Sequence, residues 1–64
     1  MAKIKLQGTN FMIEVSQTYD EVMDKLNDAH NNKLVSVLLD EVVMTGIPLK
    51  RISIVVSKII FIRE

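Results

Sequence analysis

A lysine and an arginine that follow a glycine-containing turn are the residues best suited to bind a ligand. Thr45 opens the stretch Thr45-Gly46-Ile47-Pro48, and Lys50 and Arg51 come shortly after it. A cationic pair beside the free N–H groups of a turn can grip phosphate oxygens. The alternative is a solvated strand start whose charges discourage edge-to-edge pairing. A symmetric oligomer favours the first interpretation, because each arginine recurs in every subunit. We therefore predict Lys50, Arg51 and Thr45 as ligand-binding residues.

The other reactive side chains predict no catalytic centre. The chain has no cysteine, and its single histidine, His30, lacks the serine and aspartate arrangement of a triad. Asp40 and Glu41 would point to opposite faces of a strand, and Asp20 and Glu21 suit the first turn of a helix. Neither glycine belongs to a phosphate-binding loop motif. We predict a non-enzymatic protein without a metal site or cofactor.

Length and charge narrow the class of protein further. The 64 residues allow a single domain, 1–64, and eight acidic side chains balance eight basic ones. A protein that neutralises many phosphates along a nucleic acid normally has a basic excess, so extended nucleic-acid binding is not expected. No segment reaches the roughly 20 apolar residues of a membrane span. The N-terminus does not resemble a secretory signal, so we predict a cytoplasmic protein without a membrane partner.

The first third of the chain predicts a hairpin and a helix. Residues 3–7 and 11–16 alternate apolar and polar side chains on either side of Gly8-Thr9-Asn10. Thr18 and Glu21 then form the T-x-x-E pattern of a capping box. One apolar stripe of a helix follows, and Asn31-Asn32 is expected to end that helix with an αL asparagine. The stripe contains Tyr19, Val22, Met23, Leu26, Ala29 and His30.

Residues 34–44 allow two interpretations. Six leucines and valines could share one helical arc, but Glu41 would then lie near its middle. Four valines favour a strand, because β-branched side chains suit a pleated surface. We predict a strand here and a further strand after Pro48, with a bulge, bend or short turn at Ser57-Lys58.

These elements predict an α+β fold of order β-β-α-β-β, a small antiparallel sheet or partly closed barrel with one helix on a face. The last strand can be split in two. Its second face also carries apolar side chains, at Val55, Ile59 and Phe61. One helix cannot cover both faces, and a chain of this size has a marginal core. We therefore predict a homo-oligomer.

Two stretches resemble pieces of known small proteins. Residues 16–26 are similar to the strand-to-helix step of many tiny proteins of bacteriophages and Gram-positive bacteria, and residues 52–64 resemble their strand–bend–strand element. The FlbD-like proteins of flagellar operons carry similar pieces, but there the bent strand precedes the helix. The resemblance implies a phage or prophage origin and a compact oligomer. It also implies one role known among such proteins, sequestration of nucleotide signals of bacterial immunity.

Three functions follow from these observations as hypotheses. The first is an oligomer that sequesters a small anionic, nucleotide-like signal between its subunits and so counters host immunity. The second is a protein-interaction module, such as a phage inhibitor or regulator of a host protein, that uses a sheet edge or apolar face. The third, an Sm-like small barrel that binds RNA, fits a ring but not the zero net charge.

Overall fold

The computed structural model describes residues 1–42 and 50–64, and their fold is α+β, as predicted. One helix and five strands form two antiparallel sheets, of order β2-β1-β5 and β3-β4. The described residues form no closed barrel, so the sheet alternative of the prediction is correct. The elements are β1 (Lys3–Leu6), β2 (Met12–Glu14), α1 (Tyr19–Asn31), β3 (Ser36–Glu41), β4 (Lys50–Val55), a 3-10 turn (Val56–Lys58) and β5 (Ile59–Arg63).

The predicted hairpin supplies the central strand, β1, and one edge strand, β2, of the three-stranded sheet. β1 and β2 pair antiparallel, and Gly8 lies in the turn at a φ of 87°, a conformation that suits glycine. β5 pairs with the other edge of β1. Ile4 consequently lies between Ile13 and Ile62, and it is fully buried.

The C-terminal strands differ from the predicted alternation. Ile59 and Phe61 were predicted to share the second face with Val55, but the 3-10 turn at Val56–Lys58 separates β4 from β5. The pairing of β5 with β1 then shifts register, with Phe61 opposite Lys5 and Ile59 opposite Leu6. Ile60 is the extra residue of this irregularity and is exposed, whereas Ile59 packs against the core. The predicted short turn is confirmed, and Phe61 and Ile62 lie on different faces as expected, but the faces predicted for Ile59 and Ile60 were wrong.

The strand alternative for residues 34–44 is confirmed over Ser36–Glu41. β3 buries Val37 and Leu39 and pairs with β4. A single bridge between Val15 and Glu41 joins the two sheets. Beside it, the Ser16 N–H donates to the Asp40 carbonyl over 2.8 Å. Among the described residues, the end of β2 therefore meets β3 at its C-terminal end.

Helix α1 begins with the predicted capping box. The Glu21 N–H donates to the Thr18 hydroxyl over 3.2 Å, and the Thr18 N–H donates to the Glu21 carboxylate over 2.9 Å. The end of the helix differs from the prediction: Asn32 has a φ of −100°, and the positive φ, 56°, belongs to Lys33. Asn32 instead binds the Asp28 carbonyl through its side chain.

The helical stripe is only partly covered by the rest of the fold. Val22 and Ala29 are buried and Leu26 packs against the core, whereas Tyr19 and His30 are exposed. The core thus consists of small and medium aliphatic side chains from β1, β3, β4 and α1, together with two residues that lie just outside β1 and β2. Its buried members are Ala2, Ile4, Val15, Val22, Ala29, Val37, Leu39 and Ile54.

We expect Thr18→Ala to lower the free energy of unfolding by about 1 kcal/mol, because it removes the hydroxyl that accepts from the helix. Thr18→Ser keeps that acceptor and is the matched control.

The Thr18 backbone N–H, and then its hydroxyl, hold the pKa of Glu21 below its usual 4.5. A depressed pKa stabilises the fold at higher pH, so this contribution is lost as the pH falls below about 4.5. Urea unfolding of wild type and of both variants as a function of pH measures the capping contribution and its pH dependence. Equal stability of Thr18→Ala and wild type would contradict a stabilising role of the Thr18 hydroxyl.

Candidate functional site

The predicted ligand-binding residues lie at the start of β4. Lys50 and Arg51 are its first two residues, and both are exposed. Thr45 lies outside the described residues. Because neighbouring side chains on a strand point to opposite faces, Lys50 and Arg51 do not converge on one point within a single copy.

Each of these cations has a carboxylate directly across the sheet. In the pairing of β3 with β4, Lys50 is opposite Glu41 and Arg51 is opposite Asp40. Opposite charges at such positions attract each other across the strands. An anion bound by Lys50 or Arg51 would therefore lie near a carboxylate on the neighbouring strand, which would repel it.

Sequence reasoning missed the group that holds Asp40. The Gln17 side-chain Nε2–H donates to the Asp40 carboxylate over 2.9 Å, and the Gln17 side-chain oxygen Oε1 accepts from the Asp40 backbone N–H over 3.1 Å. The residues are 23 positions apart, and no local pattern indicates their pairing. This reciprocal pair fixes Asp40 beside the bridge between the sheets, and so keeps a negative charge opposite Arg51.

A second feature that sequence reasoning missed is a shallow groove between α1 and the N-terminal half of β3. Its volume is about 240 Å³, larger than the roughly 150 Å³ apolar cavity that holds benzene in an engineered protein. The helix supplies Lys25, Asp28 and Ala29, and the strand side supplies Leu34, Ser36 and Leu38. Apolar atoms predominate, and Lys25 and Asp28 are the charged residues among those that line it.

The surface carries many large apolar side chains. Nine are exposed among the described residues, against eight buried hydrophobic residues in the core. Leu34 and Val35 lie just before β3 and Leu38 in its N-terminal half, near Val55, which pairs with Ser36 at the end of β4. The others are Met1, Phe11, Tyr19, Ile60 and Phe61.

Neither a metal centre nor a membrane helix is found in residues 1–42 and 50–64. Histidine and carboxylate side chains there form no group of three that could hold a metal ion. No helix in this part of the chain is long and apolar enough to cross a bilayer. His30 lies in the last turn of α1, where a basic side chain suits the negative end of the helix dipole.

The arrangement is suited to binding through surfaces, because Lys50 and Arg51 lie opposite carboxylates and nine large apolar side chains of the described residues are exposed. Comparison of the chain with protein families, with curated proteins and with solved structures finds no match.

Proposed function

We propose that this chain is a non-catalytic binding protein that acts as a homo-oligomer through protein–protein contacts. The exposed apolar side chains carry this proposal, because they outnumber the buried ones among the described residues. A small core leaves little free energy to hold a lone domain together, and oligomerisation is a common way to add buried apolar surface. Large exposed apolar patches mark interfaces in soluble proteins.

The charge distribution supports contact between copies of the chain. The formal net charge is zero, so copies do not repel each other. Cross-strand pairs such as Arg51 with Asp40 leave neither a strongly positive nor a strongly negative face at β3 and β4. The shallow groove beside β3 suits a protein surface better than an enclosed small molecule.

A second candidate function is sequestration of a small anionic, nucleotide-like ligand between subunits. One observation favours it: Lys50 and Arg51 are adjacent and exposed on a strand at the edge of its sheet. A neighbouring copy could bring a second pair to the same place and overcome the opposing carboxylates. Thr45, a phage origin and a cytoplasmic location belong to this candidate as predictions.

Native mass spectrometry of gently purified protein separates the two functions. An oligomer without added mass is the result expected for a protein-interaction module. An oligomer with a nucleotide-sized adduct that is lost on denaturation would favour sequestration. In that case Arg51→Ala should lose the adduct and keep the oligomer, whereas Arg63→Ala, an exposed arginine on β5, should keep both. A monomer at all concentrations would contradict both functions.

A further inference from the structure

The N-terminal half of β3 has an edge with free backbone groups. On the edge away from β4, the Asp40 carbonyl accepts from Ser16 and its N–H donates to Gln17. Backbone groups of alternate residues face the same edge of an antiparallel strand, so those of Leu38 and Ser36 face it too. No backbone partner for them is found within residues 1–42 and 50–64. β2 ends too early to cover them, since its contact with β3 is the bridge at Glu41.

We propose that this edge is the interface between two copies of the chain, with β3 of one copy pairing antiparallel with β3 of the other. The inference rests on the proposed homo-oligomer and names its contact surface. A two-fold axis near Val37 places Ser36 of each copy opposite Leu38 of the other. The free N–H and C=O groups of these residues then form about four backbone hydrogen bonds. The two β3-β4 sheets become one continuous sheet.

The charges beside the edge are complementary under this two-fold axis. Lys25 and Asp28 line the groove from α1, three residues apart on one helix face. The axis makes the two copies of α1 antiparallel on the same side of the joined sheet. Lys25 of one copy then faces Asp28 of the second copy, and the reverse pair forms by symmetry. An isologous interface requires this kind of self-complementary patch.

The apolar side chains at the same edge gain burial in this pairing. Leu34 and Leu38 line the groove and are 54% and 53% exposed. Leu38 lies beside Ser36 of the second copy and diagonal to its Leu38, within reach of a long side chain. The outer edge of β4, which pairs with no other strand in the part of the chain that the structure describes, differs because β4 begins with exposed Lys50 and Arg51. Charged residues at a sheet edge discourage pairing.

Leu38→Lys tests the interface by placing a charge at the proposed contact. Phe61→Lys is the control, because it adds the same charge at a side chain on β5 that is 46% exposed. Sedimentation equilibrium should show Leu38→Lys as a monomer and Phe61→Lys with wild-type assembly, while far-UV circular dichroism shows that both are folded. A wild-type oligomer that Leu38→Lys leaves intact would overturn the β3 interface and leave the proposed function standing. A wild-type monomer would overturn both.

A charge exchange provides a test that does not depend on Leu38. Lys25→Glu brings a carboxylate to Asp28 of the second copy and should weaken dimerisation about tenfold. Lys25→Glu with Asp28→Lys reverses both charges, restores the pairs and should recover the wild-type dissociation constant. Lys33→Glu, on an exposed lysine outside the groove, is the control. If the double variant dimerises as weakly as Lys25→Glu alone, the proposed antiparallel orientation of the two α1 helices is overturned.

Disulfide trapping locates the axis, because the natural chain has no cysteine. Directly opposed residues in a hydrogen-bonded antiparallel pair have Cα atoms about 5.5 Å apart, which suits a disulfide. A mixture of Ser36→Cys and Leu38→Cys proteins should therefore give mixed disulfide dimers in excess of either self-dimer. A mixture of Ser53→Cys, on β4, with Leu38→Cys is the control and should give no mixed disulfide dimers. Absence of the Ser36–Leu38 mixed disulfide from an oligomer would overturn the proposed register.

Discussion

Ile4→Ala is expected to lower the free energy of unfolding by about 2–5 kcal/mol, the range for truncating a buried isoleucine or leucine. Ile4 is fully buried in β1 and lies between Ile13 on β2 and Ile62 on β5. A chain of 64 residues has a total stability of about 3–10 kcal/mol at typical values per residue. The substitution therefore removes a large fraction of that stability, and urea unfolding at fixed protein concentration measures the loss.

Ile60→Ala is the matched control for this prediction. It removes the same atoms from the same sheet, but Ile60 is 58% exposed at the irregularity of β5. A change within about 0.5 kcal/mol is expected for such a surface substitution. Equal losses from Ile4→Ala and Ile60→Ala would show that the core is not centred on β1.

Gln17→Leu is expected to cost about 1–3 kcal/mol, because it leaves the half-buried Asp40 N–H without its acceptor. The substitution also removes the amide that donates to the Asp40 carboxylate. Gln7→Leu, at an exposed glutamine just after β1, is the control and should have little effect. The two urea midpoints give the comparison, and a Gln17→Leu midpoint equal to that of Gln7→Leu would contradict a structural role for the pair.

Gln17→Glu separates hydrogen bonding from charge at the same position. The new carboxylate can still accept from the Asp40 N–H, but it repels the Asp40 carboxylate and raises the pKa of the pair. A group whose pKa is raised in the folded state stabilises the fold at low pH, and this stabilisation is lost as the pH rises through that pKa. The stability difference between Gln17→Glu and wild type should therefore shrink on acidification. A difference that is constant with pH would contradict close contact of the two side chains.

The elements with strong local signals could be predicted from the sequence. The hairpin follows from alternation around Gly8, and the helix start follows from Thr18 and Glu21, whose reciprocal bonds need only four consecutive residues. The β-branched residues near position 40 also indicated a strand correctly. In each case the residues that indicate the element are local, even where its strand partners lie further along the chain.

The faces of β5 and the end of the helix could not be predicted in the same way. A 3-10 turn and one extra residue, Ile60, reset the alternation, and both depend on how β5 meets β1. At the helix end, Asn32 uses its side chain on Asp28 and leaves the positive φ to Lys33. Asparagine has more than one way to end a helix, and the sequence does not distinguish them.

The candidate site was only partly accessible to sequence reasoning. The positions of Lys50 and Arg51 at a strand start were predicted, but the carboxylates opposite them depend on the register of β3 with β4. The Gln17–Asp40 pair and the groove beside β3 depend on where β2 meets β3. Long-range pairing of this kind leaves no periodic signal in the chain.

Sedimentation equilibrium of the unmodified chain over a range of concentrations tests the central claim, that the protein works as a homo-oligomer, most directly. The account predicts a mass that rises with concentration from the monomer value of 7.3 kDa to at least twice that value. A mass that stays at 7.3 kDa over the whole range would contradict it, because the exposed apolar side chains would then belong to a stable monomer.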